Sequence, residues 1–364
     1  MTRFPDDFLW GAATAPHQVE GNNTNSDFWA NEARMPGMER SGDACDSYHR
    51  YGEDMRLLAD AGCNSYRFGI EWARVEPEEG LISNATLAHY RRMIDTATGL
   101  GLVPVVTLHH FTNPRWFAER GGWLADEAIG RFERYVTATT QILDGVEWVV
   151  TMNEPNMLSM MTAMAKAMAV AQASGEWQSP TVDNVRPAQL PAPDVEIGQR
   201  FVQAHHAARA IVWAKTGAKV GWSIANRAFA ARPGGEEKLA ELQWIWEDLY
   251  LAGSAGDDFV GVQSYSSQWV GADGIEPYPP HPDNTLVGTA YRPDALGMAV
   301  RHSHEVTGLP ILVTENGIAT DDDSRRIAYT TGALEGLAEA MAALHNAGCR
   351  WGLNPPVSRR LLAM

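Results

Sequence analysis

The sequence predicts an α/β protein whose parallel strands close into a barrel. Three observations predict it. Short apolar runs without polar alternation recur along the chain, as expected of parallel strands covered on both faces. Stretches with apolar residues at helical spacing separate them, so strand and helix alternate seven times with no repeat period and no linker. Chemistry-bearing residues stand at the ends of many different runs: Gln18, Arg67, His110, Glu154, Tyr265 and Glu315. A closed barrel gathers such residues at one mouth, whereas an open doubly wound sheet would scatter several of them. The Gly-rich phosphate turn that marks many open sheets is missing after the first run.

The elements follow in order. Residues 8–15 read as the first strand, and Pro16-His17-Gln18-Val19-Glu20-Gly21 as a polar loop. Tyr48, Tyr51, Met55 and Leu58 mark a helix that Gly62 is placed to end. Residues 63–70 form the second strand. Leu87, Tyr90, Ile94, Ala97 and Leu100 mark a helix stopped by Gly101, and residues 102–108 the third strand. Ile129, Phe132, Val136 and Leu143 mark the next helix, and residues 146–152 the fourth strand, which leads to Asn153-Glu154-Pro155. Met157, Met160, Met161, Met164 and Met168 then recur at helical spacing, which reads as adaptable packing rather than a cofactor box.

Residues 174–193 are rich in Pro, Ser, Asn and Asp and read as a loop near the mouth. Ile197, Phe201, His205, Ala208 and Val212 give a helix, and residues 219–224 the fifth strand. Leu239, Leu242, Trp246 and Leu249 give the next helix, and residues 258–263 the sixth strand. A Pro-rich loop and a short helix ending at Gly308 precede the seventh strand, Pro310-Ile311-Leu312-Val313-Thr314-Glu315. Ile327, Leu334, Leu337, Met341 and Leu344 form the seventh helix.

Size and charge set bounds. A chain of 364 residues, 45% hydrophobic, suffices for one large barrel. A formal charge of −16 without any Lys/Arg block argues against nucleic-acid or anionic-membrane partners. No signal-peptide pattern and no bilayer-length apolar run occur. The three cysteines lack metal-ligand spacing, so a reducing, cytoplasmic home is expected. The histidines form no metal set: His109-His110 adjoin at a strand end, and His205-His206 adjoin in a helix, where neighbours do not face each other.

A single strand-end Glu is usually a cap or a surface ion-pair partner. Two of them, Glu154 and Glu315, at the ends of similar apolar strands in one barrel would point into one mouth. Paired carboxyl groups are the minimum apparatus for glycoside hydrolysis.

At this point the text itself resembles a family. Phe8-Leu9-Trp10-Gly11-Ala12-Ala13-Thr14, Gln18-Val19-Glu20-Gly21, Tyr66-Arg67-Phe68-Gly69-Ile70-Glu71-Trp72-Ala73-Arg74, Thr107-Leu108-His109-His110-Phe111, Asn153-Glu154-Pro155 and Thr314-Glu315-Asn316-Gly317 occur in this order. Together they closely resemble the family 1 glycoside hydrolases, retaining β-glucosidases and β-galactosidases on a (β/α)8 TIM barrel. The resemblance implies Glu154 as general acid/base and Glu315 as nucleophile. It implies Asn153 at the sugar 2-hydroxyl, and Gln18 and His110 at other glycone hydroxyls. Arg67 would lie beside Glu315 as its countercharge, and Tyr265 would orient it. Gln263 stands where the family usually has Asn, and Phe111 where Trp is common. Trp116 and Trp123 read as core residues. The substrate implied is a small β-glycoside or oligosaccharide, and the mechanism implied uses no metal or organic cofactor.

The resemblance stops near residue 347. The family's eighth strand, its Trp-Ser…Glu-Trp segment and its eighth helix have no counterpart, so units one to seven are expected over residues 1–348. Residues 349–364 are expected to be an irregular, non-family tail, because no apolar strand precedes or follows Pro355-Pro356. This reads as a truncation or frameshift. It would expose the ladder edges of strands one and seven and remove several glycone ligands, together with most positions that distinguish plain from 6-phosphorylated sugars. Two further readings follow: a catalytically impaired sugar-binding remnant, and a 6-phospho-β-glycosidase.

Overall fold

The computed structural model of the protein describes residues 4–32, 39–174, 192–278, 280–346 and 362–363. Seven strands form the sheet: β1 (Leu9–Ala13), β2 (Ser65–Gly69), β3 (Val103–Thr107), β4 (Trp148–Asn153), β5 (Lys219–Ala225), β6 (Val260–Gln263) and β7 (Ile311–Glu315). Each pairs in parallel with the next in chain order. Their lack of polar alternation has the expected cause. Every residue of β2 and β4 is buried, so both faces are covered.

Two apolar layers result. Leu9, Val105, Trp148, Val150, Phe259 and Leu312 form one cluster. They come from strands that are not all neighbours in the sheet, so they meet through the barrel interior. A larger cluster lies between the strands and the helices outside them. The helices bury many of the predicted positions, although Ile327 is exposed and Ile129 and Leu239 are only partly buried. In the helix Asn84–Gly99, Leu87, Tyr90, Ile94 and Ala97 are buried, and the Ser83 hydroxyl caps its start by accepting from the Thr86 amide at 3.2 Å. In the helix Val195–Lys215 the buried set is Ile197, Phe201, His205, Ala208 and Val212, among others, and Asp194 caps it through the Ile197 amide at 2.9 Å. The helix Ala128–Thr139 buries Phe132 and Val136. The helix Pro155–Ser174 holds the methionines: Met157, Met160 and Met161 pack beside Phe229 and Trp246, whereas Met164 and Met168 are exposed.

Some expectations shift. Gln18 lies in a helical turn, Pro16–Val19, rather than a loop. The helix before β7, Ala295–Thr307, is of ordinary length. Most of the loop expected over 174–193 lies outside the described residues. A small second sheet (Ala230–Ala231, Trp269–Gly271 and Gly274–Ile275) was not foreseen; it stands beyond the ends of β5 and β6.

The C-terminal tail differs from expectation at one point. No strand was expected there, yet Leu362–Ala363, here β8, pairs in parallel with Leu9 and Trp10 of β1 and lies close to β7. A free ladder edge offers a row of unpaired amides and carbonyls, and any backbone lying alongside it will pair without needing a side-chain pattern. Among the described residues no full-length eighth strand is present, so the barrel consists of seven strands and this two-residue contact. No helix among the described residues is long and apolar enough to cross a membrane.

Candidate active site

The carboxyl ends of the strands carry the site. The β4–β5 register shifts between Val150 and Asn153, and the β7–β6 register shifts between Val313 and Glu315. Such irregularities re-aim side chains, and here one precedes each glutamate. Glu154 itself has φ 46°, a left-handed conformation that is costly for a residue with a Cβ. Pro155 opens the following helix and disfavours the right-handed helical region for the residue before it. The Glu154 amide donates to the Ser223 carbonyl at 2.7 Å, which ties this turn to β5.

Arg67 of β2 is fully buried and reaches three partners. Its Nη1 donates to Glu315 Oε1 at 2.6 Å, its Nη2 to Asn153 Oδ1 at 2.5 Å, and its Nε to the Thr107 hydroxyl at 3.0 Å. Gln263 Nε2 bridges the same two acceptors, Asn153 Oδ1 at 2.8 Å and Glu315 Oε1 at 2.7 Å. The Tyr265 hydroxyl donates to the other oxygen, Glu315 Oε2. Two strands, β2 and β6, and one loop thus hold the Glu315 carboxylate in one orientation.

Glu154 has the opposite surroundings. No side chain among the described residues hydrogen-bonds its carboxyl. Burial first, and then the negative charge of Glu315, push its pKa up to about 8, against the opposing pull of Arg67 and Arg227. Two carboxyl groups in one site with divergent environments are suited to different proton states.

Both glutamates border one cavity of about 250 Å³, together with Ala13, Thr14, Ala15, Gln18, His110, Phe111 and Tyr265. Three buried polar atoms nearby have no partner among the described residues: His110 Nδ1, Asn153 Nδ2 and Gln263 Oε1. Buried polar atoms are normally satisfied, so these mark places where a polyhydroxylated ligand would complete the bonding. Burial, and secondarily the charge of Arg67, hold the His110 imidazole well below its ordinary range, hence neutral, with one donor and one acceptor nitrogen. Phe111, also left-handed at φ 67°, forms part of the wall.

The structure therefore brings together every residue singled out for the site: Gln18, Arg67, His110, Asn153, Glu154, Gln263, Tyr265 and Glu315. Trp123 is buried, and Trp116 packs against Trp72 while its indole donates to the Glu76 carbonyl at 2.8 Å, so both serve the core. Two neighbours escaped the sequence reading. Thr107 holds the Arg67 Nε, and Arg227, beyond β5, acts electrostatically on Glu154. Thr107 heads the Thr107-Leu108-His109-His110-Phe111 stretch, but its contact with Arg67 was not foreseen, and Arg227 belongs to no run that stands out in sequence. Among the described residues no group of three or more His, Cys, Asp and Glu is arranged to hold a metal ion.

Comparison with known proteins agrees with this geometry. The model of glycosyl hydrolase family 1 matches residues 1–183. Thermostable beta-glucosidase B of Thermobispora bispora is 30% identical over an alignment that covers 93% of this chain and 80% of that enzyme. The alignment with beta-glucosidase A of Acetivibrio thermocellus is shorter, at 34% identity over 43% of this chain and 38% of that enzyme. Among solved structures, a β-glycosidase is 40% identical with a TM-score of 0.82, covering 99% of this chain and 87% of that one. An apo β-glucosidase is 36% identical with a TM-score of 0.81, covering 98% and 87%. With the family model over half its length and a relative matched along most of both chains, this protein belongs to glycosyl hydrolase family 1, as a glycoside hydrolase of the β-glycosidase kind.

Proposed function

We propose that the protein hydrolyses terminal β-D-glucosides or closely related β-glycosides with retention, through a covalent glycosyl-enzyme. The observation that carries this reading is the contrast between the two glutamates. Glu315 is bound by Arg67, Gln263 and Tyr265, whereas Glu154 is pushed up to about 8.

In this reading Glu154 starts protonated and gives its proton to the glycosidic oxygen as the bond to the anomeric carbon breaks. Glu315 Oε attacks that carbon from the opposite face and forms the ester. Esterification removes the charge of Glu315, which is the second cause of the raised Glu154 pKa. Glu154 then becomes a better anion and acts as base on water, which releases the sugar. Asn153 Nδ2, without a partner among the described residues, would donate to the sugar 2-hydroxyl, and His110 and Gln18 would bind other hydroxyls. The expected site is the barrel of residues 1–348, in a cytoplasmic protein.

One observation favours a weaker enzyme. Among the described residues the seam between β1 and β7 is spanned by Leu362–Ala363 alone, so few described groups form the sugar-binding wall on that side. An intact carboxyl pair with few glycone contacts would lose transition-state stabilisation rather than chemistry.

The test is NMR of 4-nitrophenyl β-D-glucoside hydrolysis, with Glu315→Ala alongside. Glucose released first as the β-anomer, and no turnover by the variant, is expected. The α-anomer as first product would refute the retaining reading.

A further inference from the structure

Arg227 lies two residues beyond β5, in the turn that follows Asn226. Its backbone amide donates to Glu247 Oε1 at 2.8 Å, and the other Glu247 oxygen accepts from Asn226 Nδ2 at 2.9 Å. Its guanidinium lies over the Trp246 ring, 4.9 Å from the centroid, and its Nη2 donates to Gln268 Oε1. Among the described residues, its Nε and Nη1 have no acceptor, and no carboxylate lies within ion-pair distance of it. Nearby arginines differ: Arg232 pairs with Glu276 at 3.3 Å and Arg292 with Asp294 at 2.7 Å.

Arg227 is half-buried, and the burial of part of its side chain draws its pKa below the usual range. The anionic or acidic groups that act on it are Tyr278, Glu247 and Glu154. Glu154 lines the cavity and, in the reading above, faces the departing oxygen. A half-buried cation with no directly ion-paired carboxylate gains from an anion that reaches its free N–H edges. A flat guanidinium fixed by an aromatic face and one amide, with two N–H edges left over, is prepared for a planar anion.

We propose that Arg227, braced by Trp246 and Gln268, binds a carboxylate on the leaving group. The preferred substrates are then β-glycosides of carboxylate-bearing aglycones, such as aromatic hydroxy acids. The proposal rests on Glu154 being the acid that faces the leaving group. A rival role is that Arg227 only offsets the charge of Glu154 in its base form. The two differ in what the leaving group must carry.

The experiment compares two matched substrates, the β-D-glucosides of 4-hydroxybenzoate and of the neutral 4-hydroxybenzamide. The readout is the ratio of their kcat/KM values in wild type, Arg227→Gln and Arg227→Lys. A charge-assisted contact predicts a ratio of about tenfold or more in wild type, reduced to about one in Arg227→Gln and partly kept in Arg227→Lys. A ratio that is the same in wild type and Arg227→Gln overturns the proposal and leaves the rival role. If wild type turns over neither glucoside, the hydrolase reading fails separately. Calorimetry with free 4-hydroxybenzoate and 4-hydroxybenzamide then decides the inference. Binding of the acid alone, lost in Arg227→Gln, supports it. Equal binding of both compounds, or of neither, overturns it.

Discussion

Arg67 and Glu315, 248 positions apart in sequence, meet through a 2.6 Å charge-assisted bond at the mouth of the barrel. The arginine enters from β2 and the glutamate from β7. Only barrel closure brings those two strand ends together, so this one contact couples the fold to the proposed chemistry.

Replacing Arg67 by Met removes three bonds at once and leaves the Glu315 and Asn153 oxygens short of a donor. The expected loss in kcat/KM is about 10²–10³-fold, measured with an aryl β-glucoside after circular dichroism shows the variant folded. Arg67→Lys keeps the charge but not the fork, and is expected to recover only part of this.

Gln263 offers a milder perturbation. Its Nε2 spans Asn153 and Glu315, so Gln263→Leu is expected to lower kcat/KM about tenfold or more by removing one charge-assisted bond. Gln263→Asn shortens the arm by one methylene, so it reaches one acceptor at most. It is expected to fall between wild type and Gln263→Leu in the same assay.

The pKa of Glu154 gives a signed pH prediction. A general acid works only while protonated, and burial plus the charge of Glu315 raise this group to about 8. Rates are therefore expected to hold up to about pH 8 and to fall above it. In Glu154→Gln the basic limb disappears, and the loss is greater for leaving groups of high pKa than for nitrophenolates. A leaving-group series at several pH values checks both points.

The contact between β1 and Leu362–Ala363 predicts a structural effect. Deleting residues 347–364 removes the backbone that pairs with Leu9 and Trp10. The exposed edge is then free to pair with another chain, so a lower Tm and sedimentation as larger species are expected. Unchanged Tm and sedimentation would mean that β8 contributes nothing.

Much of the site was legible in the sequence, for a physical reason. Parallel strands buried on both faces leave apolar runs, and the first polar residue after such a run is held at the mouth. Glu154 after β4 and Glu315 ending β7 could be located in this way, whereas Arg67, inside β2, was assigned its role through the family resemblance. The resemblance also implied that Arg67 and Tyr265 contact Glu315, as they do, but the remaining contacts were not legible. The bridging role of Gln263 depends on the spacing between β4, β6 and β7, which no local pattern encodes. The left-handed turn at Glu154 arises from Pro155 together with the register shift against β5. Arg227 follows β5 without any motif, and the role proposed for it starts from the lack of an ion-paired carboxylate among the described residues. The pairing of Leu362–Ala363 is a property of the open edge of β1, so the sequence of the tail held no sign of it.

The central claim is that Glu315 forms a covalent bond to the sugar while Glu154 handles the proton. The most direct test is intact-protein and peptide mass spectrometry after incubation with a 2-deoxy-2-fluoro β-glucoside bearing a good leaving group, which slows the second step more than the first. The account predicts one added fluoroglucosyl group, carried by Glu315 and absent in Glu315→Ala. A folded, monodisperse wild type that gains no mass, or that carries the sugar on another residue, would contradict it.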